Sequence, residues 1–146
     1  MWRPVARVEP PMPLMVAGFA ALCAGLFTML SWREVKAKEL YLRHCDVALG
    51  HPKLSNPELM SLDLKARTAD SSKETFEQYE WYVARLVYTL DECLKLSPTR
   101  HWYKVAQTQL ANHRSYLSSE YYRSQGYLPH YSQRMQMLIA HQRRDA

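Results

Sequence analysis

Nineteen consecutive residues, Leu14 to Trp32 (LMVAGFAALCAGLFTMLSW), pass without a charge, and this run limits the folds open to the chain. As a helix rising ~1.5 Å per residue it measures ~28 Å, close to the ~30 Å hydrocarbon core of a bilayer. Leu14, Val16, Phe19, Leu22, Leu26, Phe27 and Leu30 each favour insertion by ~0.3–0.6 kcal/mol near the helix centre, whereas one central Arg costs ~2.5–3.5. The absence of charge therefore counts as much as the apolar content. The run predicts a retained single-pass anchor.

Two processed alternatives fit poorly. Arg3 and Arg7 precede the run as in a signal peptide. However, the run is long for a signal core, and it meets Trp32, Arg33 and Glu34 with no small-x-small cleavage site. Cys23 follows Leu22, where lipoprotein processing requires a small residue. A buried core helix is the third alternative. For orientation, Arg33, Lys36, Lys38 and Arg43 lie beyond the run, against Arg3, Arg7 and the α-amino group before it. The positive-inside bias then favours a cytoplasmic bulk of the chain at the plasma (inner) membrane. Three cysteines, one of them within the run, make no disulfide framework, although pairing of Cys45 with Cys93 stays open.

Residues 1–13 hold four of the eight prolines and read as an extended tail, with Trp2 available as an interfacial anchor. Residues 14–32 are the expected span and 33–50 its helical extension. In REVKAKELYLRHCDVAL no Pro or Gly stops the helix, and Val35, Leu42 and Leu49 fall seven apart. Glu34 with Lys38 and Glu39 with Arg43 are i,i+4 pairs, each worth ~0.2–0.5 kcal/mol. One rod ending at Gly50 is expected; a break near Trp32 is the alternative.

Residues 51–142 read as a small helical bundle. Asn56 as cap, Pro57 at the first position and Glu58 near the dipole predict a short helix ending near Arg67. Leu59, Leu62 and Leu64 would form its apolar side. Lys73 to Leu96 carries the strongest helical rhythm: Phe76, Tyr79, Val83, Leu86, Leu90 and Cys93 recur at threes and fours. Ser71 and Glu74 have capping-box spacing. Trp81, Val87, Tyr88 and Leu94 widen the seam, which places this helix at the centre of the domain. Ser97 and Pro98 suggest the next start. Trp102, Val105, Leu110, Tyr116, Leu117 and Tyr121 then continue, interrupted by polar residues 112–114, as one bent helix or two short ones. Gly126 ends that segment, and Pro129 introduces a last one with Tyr131, Met135, Leu138 and Ile139. Residues 143–146 read as a solvated tail. No useful strand-type alternation appears, so the soluble part is expected to be all-α.

Catalytic and ligand motifs are weak. None of His44, His51, His101, His113, His130 and His141 falls in HExxH or HxxxH spacing, and no Cys-x-x-Cys occurs, so no metal or other cofactor is expected. His113 lies on an apolar helix side, where a core histidine bonded to a tyrosine or a carbonyl is the ordinary outcome. There is no G-x-S-x-G, and four glycines are too few for a phosphate-cradling loop. From Ser97 onward seven Lys/Arg stand against two Asp/Glu, a difference of +5, whereas residues 50–96 carry six against eight, or −2. This asymmetry fits intramolecular complementarity, or contact with anionic lipid at ~1 kcal/mol per close basic residue. Scattered basic residues without an aromatic platform make nucleic acid the poorer partner.

HPKLSNPEL, FEQYEWYVARLVYTLDECL and HWYKVAQTQLANHRSYLSSEYYRSQGYLP together resemble a loose group of bacterial proteins of unknown function. These are similar in having an N-terminal anchor and a small helical domain with a His-Pro/Asn-Pro-Glu-Leu turn and a Tyr-Trp-rich helix. The resemblance implies the architecture and brings no catalytic residues. The sequence thus predicts a non-enzymatic, membrane-anchored adaptor or accessory subunit that docks a protein partner or another copy. Gly18, Ala21 and Gly25 are the candidate contact within the span. A sensor or enzyme would use a pocket of Tyr79, Tyr82, Trp102 and His113. An anionic-lipid or nucleic-acid binder would use Arg123, Arg134, Arg143 and Arg144.

Overall fold

The computed structural model describes residues 12–144. Residues 1–11 of the Pro-rich tail, Trp2 among them, and the last two residues lie outside the described residues, as do the side chains of Pro13, Arg143 and Arg144, while Met12 and Pro13 of that tail already belong to the first helix. Among the described residues the fold is all-α apart from one tiny hairpin. Its first helix, α1, runs unbroken from Met12 to Gly50. The rod continues past Trp32 as its uninterrupted helix-compatible residues require, and it ends at Gly50, where His51 N–H closes the last turn on Val47 and Ala48. No residue from Leu14 to Trp32 is buried. The same helix beyond Arg33 lays one side against the bundle, burying Ala37 and His44.

The expected helix over 56–67 does not form. Helix α2 (Pro52–Ser55) is followed by a 3-10 turn, Pro57–Leu59, whose N-cap is Asn56 as its residue type suggests. A hairpin then pairs β1 (Leu62–Asp63) with β2 (Thr68–Ala69), Leu62 opposite Ala69 and Asp63 opposite Thr68. Local side-chain bonds explain the outcome. Asp63 accepts from the N–H groups of Lys65 and Ala66, and Asp70 accepts from Ser61 N–H and from Lys53. Such bonds offer the backbone an alternative to helix. Arg67, Asp70 and Ser71 adopt positive φ, a region that helices do not use.

With Ser71 turned left-handed, the cap of α3 (Lys73–Leu96) moves to Ser72, which accepts from Thr75 N–H. The capping box proposed for Ser71 and Glu74 is therefore not made. Helix α3 is the centre of the bundle. Phe76, Tyr79, Val83, Leu86, Leu90 and Cys93 are all buried, and the helix packs against α1, α2, β2, α4 and α7. The seam is narrower than expected on one side: Val87 and Leu94 are buried, but Trp81 and Tyr88 are 77% and 61% exposed.

Helix α4 (Arg100–Asn112) starts two residues later than Ser97 would place it, because Thr99 takes the capping role. The polar interruption resolves into two breaks. His113, at φ −108° and ψ 20°, separates α4 from α5 (Arg114–Leu117), and Ser119 caps α6 (Glu120–Ser124). Gly126, at φ +73°, turns the chain where a side chain would be strained. A 3-10 turn, Leu128–His130, leads into α7 (Gln133–Arg144), so residues 143 and 144 extend a helix. Asp91, itself buried, fixes the start of α7: it accepts from the backbone N–H and hydroxyl of Ser132 and pairs with Lys95.

Candidate functional site

The residues with the most specific geometry lie where α1 leaves its apolar half and joins the bundle. Buried positions Ala37 and His44 and part-buried Leu40, Tyr41, Val47 and Ala48 are three and four apart, so one side of α1 faces inward. At the near end the Glu34 carboxylate accepts from Ser97 Oγ at 2.5 Å and from Trp102 Nε1 at 3.1 Å, with Lys38 Nζ at 3.4 Å. The Ser97 hydroxyl, foremost, then Trp102 and Lys38 hold this carboxyl below its ordinary range against some desolvation. Arg33 Nη2 donates to the Lys95 carbonyl at 2.8 Å and so satisfies an end group of α3. One turn further on, Cys93 Sγ donates to the Ala37 carbonyl. Burial pushes the Cys93 thiol up to about 12. Cys93 lies level with Ala37, eight residues or ~12 Å of helix from Cys45, too far for a disulfide; both are free thiols.

At the far end, His44 Nε2 and the Tyr82 hydroxyl are 3.2 Å apart, and His113 Nδ1 and the Tyr79 hydroxyl 3.0 Å. The His113 ring packs against both tyrosines, with centroids 5.6 and 5.8 Å away. His113 is thus a core histidine held by a tyrosine, as its place on an apolar side suggests. Burial lowers both imidazoles to about 4, helped at His44 by Arg85 and at His113 by His44. Both are neutral near pH 7. His44 Nδ1 and His113 Nε2 have no protein partner. Burial also pushes the Tyr82 phenol up to about 12, with Tyr41 and Cys45 adding to it.

The proposed pocket residues are therefore only partly assembled. Tyr79, Tyr82 and His113 meet in the buried core. Trp102 stands at the opposite end of α4, eleven residues or ~16 Å of helix from His113, against Tyr41 and Glu34. A cleft of about 690 Å³ opens on the other side of this core, lined among others by Tyr41, His44, Cys45, Tyr82, Gln109 and Asn112. It offers amide and hydroxyl groups. Its imidazole is pushed down to about 4 and the Tyr82 phenol up to about 12, both far from pH 7, so neither is poised as a general base there. Among the described residues no group of three or more His, Cys, Asp or Glu side chains is placed to hold a metal ion.

The basic positions separate as well. Arg123 lies on α6, whose neighbour Tyr121 packs on Phe76. Arg134 lies at the start of α7, beside Ser132 and Asp91. Phe76 and Asp91 are fifteen residues apart on α3, ~22 Å, so these two arginines do not share a patch. Gly18 and Gly25 have open space where a side chain would project, and Ala21 between them is exposed.

The outer side of α1 carries a feature of a different kind. Val35, Leu42 and Leu49 are 52%, 62% and 81% exposed, and Trp32 is 56% exposed. Their seven-residue spacing is legible in the sequence, but it marks the side turned away from the bundle. Sequence reasoning missed Glu34, Ser97 and His44 as the clasp. The 3–4 spacing from Ala37 to Ala48 was the available signal for the inward side. No family model matches the chain, and no curated protein or solved structure is significantly similar to it.

Proposed function

We propose that this is a single-pass membrane protein whose helical domain is an interaction module held at the membrane surface, an accessory subunit or adaptor. The observation that carries this reading is the contrast along α1. Residues 14–32 are apolar and bury nothing within the chain, whereas residues from Arg33 onward are fastened to the bundle by the Glu34, Cys93 and His44 contacts. A large unpaired apolar surface of this kind marks a contact with lipid or protein. The fastening begins one residue past Trp32, at Arg33, so the bundle would stand close to the headgroups on a stiff helix. The charge bias of Arg33, Lys36, Lys38 and Arg43 over Arg3 and Arg7 supports a cytoplasmic domain.

A single accessible thiol at exposed Tyr88, with buried Cys93 left in place, tests the placement. In intact cells, Tyr88→Cys with Cys23 and Cys45 replaced by Ser is expected to resist a membrane-impermeant maleimide and to react after lysis. Labelling of intact cells would reverse the orientation. Partners captured from native membranes by crosslinking, and lost on Trp81→Glu or Leu42→Glu, would support the docking role.

A further inference from the structure

We propose that the anchor-side end of the bundle is a seat for anionic lipid headgroups, built by Arg33 and Lys36 of α1, Lys95 of α3, and Arg100 and Lys104 of α4. This rests on the reading of residues 14–32 as a membrane anchor, which puts a lipid surface at that end. On the cytoplasmic side, which the charge bias favours, the leaflet carries a negative surface potential.

Packing decides which end of the bundle faces the anchor. Along α3, Tyr82, Cys93 and Ser97 meet His44, Ala37 and Glu34 of α1 in turn, so the two helices run antiparallel. The last turn of α3 therefore returns to the edge of the uncharged run, where Arg33 donates to the Lys95 carbonyl. The Trp102 indole on the Glu34 carboxylate fixes the first turn of α4 beside it. Lys95, Pro98, Thr99, Arg100, His101 and Lys104 are all exposed. The field of an anionic leaflet reaches ~8 Å at physiological salt, about five residues of helix. Arg33 and Lys36 stand one and four residues past Trp32, within that reach.

The ion pairs are polarised toward this surface. Lys36 pairs with Glu39, and Lys95 with Asp91 and Glu92. In each the cation is the member nearer the run, and the acid stands three or four residues behind it. Arg33, Arg100 and Lys104 make no ion pair among the described residues. Glu34 is the acid in this layer, and Ser97, Trp102 and Lys38 hold it. From Cys93 to Ser119 the sequence has no Asp or Glu. An acidic protein carries the same charge as a lipid headgroup. A surface built on the first turns outside the run, however, has lipid phosphate as its nearest anion. The seat is distinct from Arg123 and Arg134, which share no patch.

The test uses the full chain in lipid nanodiscs, with Cys23→Ser and Cys45→Ser, buried Cys93 left in place, and a fluorescent donor on Pro98→Cys. Energy transfer is compared between phosphatidylglycerol and phosphatidylcholine, each labelled on its acyl chain and dilute in the same mixture of both lipids. A several-fold preference for phosphatidylglycerol is expected, lost in high salt. Arg100→Gln with Lys104→Gln, at exposed positions that leave the bundle's melting unchanged, is expected to bring the preference toward equality, by at most ~5-fold for each residue. Arg100→Lys with Lys104→Arg is expected to keep it. Three results would each overturn the seat and leave the anchor: equal transfer to both lipids, a preference untouched by the glutamines, or one lost as fully in the charge-keeping variant. Chain that stays out of the discs overturns the anchor, and the seat with it.

Discussion

Glu34 of the long helix and Ser97 at the end of the central helix are joined by a 2.5 Å hydrogen bond, 63 residues apart in sequence. That bond, with the Trp102 indole on the same carboxylate, ties the apolar rod to the bundle at its first turn outside the uncharged run. Ser97 and Trp102 are both buried, so removing the carboxylate strands two donors. Glu34→Ala is expected to destabilise the domain by ~1–3 kcal/mol, read as a lowered melting temperature in detergent. The Glu34 carboxyl is held below its ordinary value of about 4.5. Its contribution is therefore present above that value and lost as pH falls through the lower folded one. A melting temperature unchanged by the substitution would remove the clasp from the account.

The two buried imidazoles give a second acid-sensitive contribution at higher pH. His44 and His113 are lowered from 6.5 to about 4, so unfolding takes up protons between those values. Stability from this source is full above about pH 6.5 and declines as pH falls toward 4, by on the order of 2–3 kcal/mol per histidine. His113→Phe, which keeps a ring in the core, should flatten the dependence of stability on pH between 6.5 and 4 in a urea titration. A slope equal to that of the parent chain would show that His113 is not held neutral by the fold.

Helix α3 has a loaded and an unloaded side. Leu86→Ala, at a fully buried position, is expected to cost ~2–5 kcal/mol through lost transfer energy and a cavity. Trp81→Ser and Tyr88→Ser, at exposed positions, are expected to change stability by less than ~0.5 kcal/mol. Denaturant midpoints compare the three directly. A large loss at Trp81 would mean that this indole has a structural partner within the chain.

Within the uncharged run, Gly18, Ala21 and Gly25 leave room for close approach by another helix. Ala21→Ile with Gly25→Ile is expected to reduce assembly mass in detergent while leaving the bundle's helical signal and melting unchanged. Unchanged mass would take this part of the helix out of the contact.

Much of the architecture was legible because it follows from periodicity and breakers. The continuous α1, its end at Gly50 and the span of α3 from Lys73 to Leu96 are all read from apolar spacing and from the absence of Pro and Gly. The segment from Pro57 to Ser71 was misread, because Leu59, Leu62 and Leu64 suggest a helix side while Asp63 and Asp70 capture backbone N–H groups instead. Those captures depend on turns that an apolar pattern does not encode. The site was less legible. Tyr79, Tyr82 and His113 do meet, but Trp102 belongs to Glu34, and His44 entered only once α1 and α3 were set side by side. Pairings 38 and 63 residues apart are properties of packing, and local spacing names candidates without choosing partners.

The central claim is that residues 14–32 lie in lipid while the bundle attached to them stays in water. Fractionation of cells producing the full-length chain tests it most directly. After breakage, high-speed sedimentation and an alkaline carbonate wash, the intact chain should remain with the membranes and enter solution only with detergent. Unprocessed full-length chain in the detergent-free supernatant would contradict the account.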